Sequence, residues 1–251
     1  MKLLQYEDLL SGDAIYIKDI GHFRSPFLRE LKPTSGIGIW TYHFYLDLLL
    51  WDKDEYIRFL KLLGIRKTEL LKQNIKLETF DVATLMSPTC KLLCEAMAFF
   101  LTENLVWEEK MHRFCCVDKE SGKQIGYIDR KNFEEAREIM LQMNYVKTLP
   151  KKVKHSSKRS QTLWEQAQKY LNSTKSQEDK NATIGNVISK LCAVSNSYNL
   201  LNVYDLTVYQ LYDQYFQCSY LKVTDLNERI FSQHGGKDFK MGMWQEPIVK
   251  L

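Results

Sequence analysis

No stretch of this 251-residue sequence approaches the roughly 20 consecutive apolar residues that cross a bilayer as a helix. Its longest apolar runs are the size of LDLLLW, at 46–51. The N-terminus, MKLLQYEDLLSGD, has no extended apolar segment and meets acids within its first eight positions, so it does not read as a secretory leader. Paired cysteine spacings of a structural zinc site are missing too. Cys90 and Cys94 stand four apart on an expected helix, and the adjacent Cys115 and Cys116 face opposite sides of an expected strand. The six cysteines, at 90, 94, 115, 116, 192 and 218, therefore read as reduced, mostly buried thiols of a soluble intracellular protein. Neither a metal nor a cofactor is expected.

Catalytic signatures are equally scarce. Covalent catalysis needs a thiolate or hydroxyl beside an oriented base. The five histidines (22, 43, 112, 155, 234) are scattered, and no glycine-flanked nucleophile accompanies them. His43 lies in an aromatic helical run and reads as a packed imidazole. QHGGKD, at 233–238, sets two glycines before a lysine, as phosphate cradles do. Those glycines follow a helix instead of leading into one, which is the order of a C-cap. The sequence therefore predicts a non-enzymatic protein.

What is present is the composition of a globular chain, 45% hydrophobic and 26% charged. Periodicity predicts a mainly α fold with small β elements and a helical-bundle architecture. The expected division is 1–146, a larger helical domain with a β-hairpin; 147–182, a basic polar linker; and 183–251, a smaller helical part. Ile15 and Ile17 alternate with Tyr16 and Lys18, which points to an N-terminal strand pair. Tyr42, Tyr45, Leu46, Leu49 and Leu50 share one helix face. Asp52 or Asp54 is placed to cap a second helix, carrying Tyr56, Phe59, Leu60 and Leu63, that Gly64 ends. Thr79 reads as a further cap, and Pro88 opens a third strong helix, with Leu92, Leu93, Ala96, Phe99 and Phe100 inward. RFCCV and QIGYID, around Ser121–Gly122, form a hairpin within 111–129, and Asn132 is placed to cap the helix after it.

Charge is concentrated in one block. Between Lys147 and Lys180 nine basic residues face three acids, a balance of +6, so the rest of the chain carries −2 of the total +4. Lys151, Lys152, Lys154, Lys158 and Arg159 form its densest part, and the segment reads as a solvated linker or as a patch for an acidic protein partner. Phosphate neutralisation on a nucleic acid is the alternative. Only Trp164 and Tyr170 accompany these lysines as stacking groups, which disfavours it.

After a helix over roughly 183–194 comes YNLLNVYDLTVYQLYDQYF, Tyr198–Phe216, with five tyrosines and one phenylalanine. Asn202 followed by Asp205 has the form of a helix start. Tyr204, Val208, Leu211, Tyr212 and Tyr215 then fall on one face, and Leu206, Tyr209 and Phe216 on a second. A helix apolar on two sides is either enclosed or shares one side with another chain. Tyr204, Tyr209, Tyr212, Tyr215 and Phe216 are thus candidate partner-binding residues beside the core reading. Thr224 is placed to cap a last helix through Leu226, Ile230 and Phe231, stopped by Gly235–Gly236.

Three segments carry a resemblance: LLSGDAIYIKDIGHFRSPFLRELKPTSGIG, ISKLCAVSNSYNLLNVYDLTVYQLYDQYF and IFSQHGGKDF. Together they resemble proteins of the tail region of tailed-phage and prophage genomes. The layout, a short β-containing start, then helices, then a DLT…Q helix, is similar to that of tail assembly chaperones. The resemblance implies a non-catalytic protein of the host cytoplasm. Such a protein binds the tape-measure protein, and tail-tube subunits as a second partner, with self-association among its expected properties. A structural component of the particle (tail, neck or baseplate) is the other reading it leaves open.

Overall fold

The structure, a computed structural model, describes residues 4–34, 36–65, 76–146 and 183–234. The fold is mainly α with two small antiparallel sheets. The described residues form two compact units. The first comprises 4–146 together with Thr207–Tyr209; the second comprises 183–206 and 210–234.

In the first unit, α1 (Tyr6–Ser11) ends at Gly12, whose φ of 76° fits the left-handed cap. Strands β1 (Ile15–Ile17) and β2 (Gly21–Phe23) pair antiparallel, with Ile15 opposite Phe23. Alternation sends Ile17 and Phe23 inward, so three-residue strands still contribute to the core. The outer side of β2 is also engaged: the Thr102 N–H donates to the His22 carbonyl at 3.1 Å and the Arg24 N–H to the Phe100 carbonyl at 3.0 Å. Helix α2 (Ile39–Leu50) buries Tyr42, Leu46, Leu48 and Leu49. Tyr45 is half-buried and Leu50 exposed, while Leu48 is inside. The expected stripe is therefore rotated slightly about the axis.

Helix α3 (Lys53–Leu62) begins at the expected Asp52, whose Oδ1 accepts the Glu55 N–H at 2.9 Å while Glu55 Oε2 accepts the Asp52 N–H at 2.8 Å. This reciprocal box satisfies two donors that the first turn otherwise leaves bare. Asp52→Ala is expected to cost about 1 kcal/mol, read as a lower urea midpoint with an unchanged slope. The helix buries Tyr56, Ile57 and Leu60, and Gly64 follows it at φ 81°. Helix α4 (Thr79–Thr84) is capped by Glu78, not Thr79: the Glu78 N–H is held by Asp81 Oδ2 at 2.8 Å. Helix α5 (Ser87–Phe99) carries Pro88 in its first turn, where the missing N–H has no cost.

The second sheet has three strands, β3 (Asn104–Glu108), β4 (Arg113–Val117) and β5 (Gln124–Ile128), paired antiparallel in that order. The expected hairpin is β4–β5, with Gly122 at φ 66° in its turn. Strand β3 is an addition. No residue of NLVWE is fully buried, so it lacks the alternation that reveals a strand, and pairing with β4 is what holds it. Behind the sheet, Phe80, Trp107, Phe114 and Phe133 form a cluster with ring centroids 4.7–6.3 Å apart.

Helix α6 (Phe133–Gln142) follows Asn132, but that side chain does not cap it. Its Oδ1 accepts the Asp129 N–H at 2.8 Å and its Nδ2 donates to the Tyr127 carbonyl at 2.9 Å, closing the preceding turn instead. Thr207–Tyr209 complete this unit. Thr207 bridges Phe27, the Val208 N–H donates to the Pro26 carbonyl at 2.9 Å, and the Tyr209 N–H donates to Ser25 Oγ at 3.2 Å.

In the second unit, α7 (Ile184–Val194) is capped by Thr183, whose Oγ1 accepts the Asn186 N–H at 3.3 Å. Its inward stripe is Ile184, Val187, Ile188 and Leu191, the spacing of an amphipathic helix. Two expectations are corrected beyond it. Asn202 starts only a single 3-10 turn, Val203–Asp205, and Leu206 is extended (ψ 147°). Helix α8 begins six residues after Asn202 and runs from Val208 to His234 without interruption. Thr224 lies inside it and is buried, its hydroxyl donating to the Tyr220 carbonyl at 3.0 Å. A mid-helix threonine whose hydroxyl bonds the carbonyl one turn back needs no break, which is why the cap reading fails. Gly235–Gly236 lie outside the described residues.

Candidate partner-binding surface

The second unit presents its apolar surface through a self-braced loop and one long helix. Between α7 and the 3-10 turn, side chains bond the backbone of their own loop. Ser195 Oγ accepts the N–H groups of Ser197 and Tyr198 at 3.1 and 3.2 Å. Asn199 Oδ1 accepts the Leu201 N–H at 2.8 Å, Asn202 Oδ1 accepts the Asn199 N–H at 2.8 Å, and Asn202 Nδ2 donates to the Ser197 carbonyl at 3.0 Å. Such Asx and Ser turns hold a loop shape without a core beneath it. The loop carries Leu200 and Leu201, which are 65% and 92% exposed. Together with Ser189, Cys192, Ala193 and Asn199 they line an open, apolar depression of about 490 Å³. A second depression, of about 290 Å³, lies between α7 and α8, with Val194, Tyr215, Cys218 and Ser219 as its wall and Lys190 and Lys222 at its edge.

The tyrosines divide. Tyr209 is buried; its ring packs on Tyr145 at 5.2 Å, so it is a packing residue of the first unit and not part of an accessible face. Val208 and Leu211 are buried as well, as the core reading of that face requires. Tyr204, Tyr212 and Tyr215 are half-buried, and burial raises the Tyr212 phenol above its ordinary range. Tyr215 lines the second depression and meets Phe216 edge-on at 5.6 Å, and Phe216 is exposed. Tyr215 and Phe216 are therefore the predicted residues that reach the accessible surface together. Lys151, Lys152, Lys154, Lys158 and Arg159 lie outside the described residues.

Leu200, Leu201, Lys190 and Val194 were not among the residues expected from the sequence. A signal was available: LL between asparagines, after a serine-rich turn, places apolar groups where no strand or helix can bury them. Trp40 was missed likewise. It is 80% exposed at the first turn of α2 and stacks on Phe44 at 5.9 Å with 7° between the planes.

All six cysteines are free thiols. Burial pushes Cys90 up to about 12, Cys94 up to about 11 and Cys116 up to about 12, and Cys94 donates to the Leu105 carbonyl at 3.4 Å. Neutral thiols are poor nucleophiles and poor metal ligands. Among the described residues, no group of three or more His, Cys, Asp or Glu side chains is arranged to hold a metal ion. Among the same residues, no helix is long and apolar enough to cross a membrane.

Comparison with known proteins bears on the C-terminal third of the chain. No curated protein matches the sequence. No solved structure matches it either. Residues 174–248, which include α7, the leucine loop and the described part of α8 beyond it, match the family described as YomV second domain. That is a phage- and prophage-type family, and the match supports reading this chain as a phage-associated protein.

Proposed function

We propose that this is a non-catalytic protein of phage tail morphogenesis, an assembly chaperone that holds an apolar helical segment of the tape-measure protein until the tail polymerises. The observation that carries the reading is the braced loop, which keeps Leu200 and Leu201 in solvent beside an open apolar depression. Exposing two leucines has a hydration cost of about 1.5–3 kcal/mol each relative to burial. Four side-chain-to-backbone bonds from Asn199 and Asn202 maintain that exposure. An amphipathic helix laid into such a surface is a common mode of peptide recognition. The phage-type family match of the same region gives the setting.

Co-expression with the tape-measure protein of the same phage tests the proposal. Tape-measure protein is expected to co-purify with the wild type and to fall at least tenfold with Leu200→Ser/Leu201→Ser, whose exposed positions leave the fold intact. Failure of the wild type to retain it overturns the chaperone reading. So does recovery of this protein from purified particles at stoichiometric copy number, which would make it a structural component.

A further inference from the structure

The second depression of this unit is apolar inside and basic at its rim. Val194 and Tyr215 contribute to its wall, and the Ser219 hydroxyl is already committed to the Tyr215 carbonyl at 2.8 Å. Lys190 stands on the α7 side and Lys222 on the α8 side, both exposed. Neither has an acid partner among the described residues. Helix α7 contains no acid. On α8 the one acid between Val208 and Thr224 is Asp213, which is buried, and the next, Asp225, is held by Arg229 at 2.9 Å. Two lysines without counter-charges thus flank an apolar hollow, and their fields add across it.

From this arrangement we infer that the depression takes an apolar side chain of an acidic amphipathic helix, whose Asp or Glu residues on either side of that anchor reach Lys190 and Lys222. The inference rests on the reading of this unit as a surface for an apolar helical segment, and adds the charge which that segment carries. Size favours a single side chain. A volume of about 290 Å³ lies just below the roughly 300–1,000 Å³ of small-molecule sites. Charge complementarity favours carboxylates, since a lysine-flanked helix would meet two like charges and no acid. Residues one turn before and after an anchor share its face of a helix, so two carboxylates can bracket it. The long lysine stems follow them without a fixed geometry. Exposed pairs of this kind set partner choice and encounter rate more than tightness.

Two synthetic helical peptides test the inference. They share one length and one leucine stripe, flanked by glutamate in the first and by lysine in the second. Fluorescence anisotropy with the full chain is expected to show the glutamate peptide bound about fivefold more tightly at low ionic strength. Added salt should shrink the difference. In Lys190→Glu/Lys222→Glu the order of preference is expected to reverse, with the helical circular dichroism unchanged because both positions are exposed. A preference for glutamate that survives this reversal places the binding elsewhere, the basic block at 147–182 included, and overturns the inference. Equal binding of the two peptides by the wild type, or no binding of either, does the same. Phosphatidylglycerol vesicles that capture the wild type but not the double variant would assign the lysines to a lipid surface. Self-association lost in the double variant would assign them to a second copy. Either result overturns the acidic helix as occupant. The chaperone reading fails separately, when the wild type does not retain the tape-measure protein, whatever the peptides do.

Discussion

Replacing Gly126 with valine is expected to destabilise the protein by about 3 kcal/mol, an overpacking penalty at the upper end of the usual range. Gly126 lies in β5 opposite Cys116. A Cβ built there falls 2.5 Å from the carbonyl oxygens of both Asp19 and Ile20. Those atoms are backbone and cannot rotate away. They belong to the turn between β1 and β2, where Asp19 adopts φ 64° and its carbonyl accepts the Tyr127 N–H at 3.1 Å. Restoring ordinary contact requires the hairpin to retreat by roughly 1 Å. That retreat weakens the Tyr127 bond and loosens the packing of Ile17, Ile20 and Phe23, all buried. Urea denaturation monitored by circular dichroism measures the loss. Gly126→Ala is expected to show most of it, because the first carbon causes the clash. Gly185→Ala, with nothing within 4 Å, provides the control and is expected to be neutral or slightly stabilising within α7. Wild-type stability in Gly126→Ala would show that the hairpin does not dock as described.

Why Gly126 is required could not be read from QIGYI, since the atoms it accommodates are more than a hundred positions earlier in the chain. The same distinction runs through the molecule. Features decided within a turn or two were legible: the Asp52 cap, Gly64 after α3, Pro88 opening α5 and the turn at Gly122. Features decided by distant partners were not. Asn202 and Asp205 form a plausible local start, yet Thr207 is drawn into a bridge with Phe27, and the chain must be extended at Leu206 to reach it. That long-range pairing delays α8 to Val208. Tyr209 illustrates the same limit at the candidate surface. Its spacing marks an apolar face, but only the placement of Ser25 and Tyr145 shows that the face is enclosed. Leu200 and Leu201 failed in the opposite sense. A leucine pair suggests core, and the Asn199 and Asn202 turns hold it outside.

Removing the Glu103 carboxylate should produce the other large effect, about 3 kcal/mol for Glu103→Ala, from lost hydrogen bonds and the space left behind. In the sequence TENLVW, Glu103 stands between Thr102 and Asn104, the setting of a solvated acid. The structure places its side chain 2% exposed. Both carboxylate oxygens accept the His22 N–H, at 3.0 and 3.1 Å, and Oε1 lies 2.6 Å from His22 Nδ1. The close approach depends on Gly21, where a Cβ would sit 3.2 Å from Oε2. This one side chain therefore clasps β2 from the connection between α5 and β3, alongside the Thr102 and Arg24 backbone bonds. Glu103→Gln keeps the shape but turns an amide donor towards donors, so it is expected to cost about half as much. A double-mutant cycle with His22→Ala isolates the pair. Residues in one hydrogen-bonded network couple by about 0.5–3 kcal/mol, and the backbone share of the clasp survives His22→Ala. The coupling should accordingly be smaller than the loss in Glu103→Ala alone. A coupling of zero, with Glu103→Ala as stable as the wild type, would mean that β2 is held by its backbone bonds and that Glu103 contributes nothing to the docking of the hairpin.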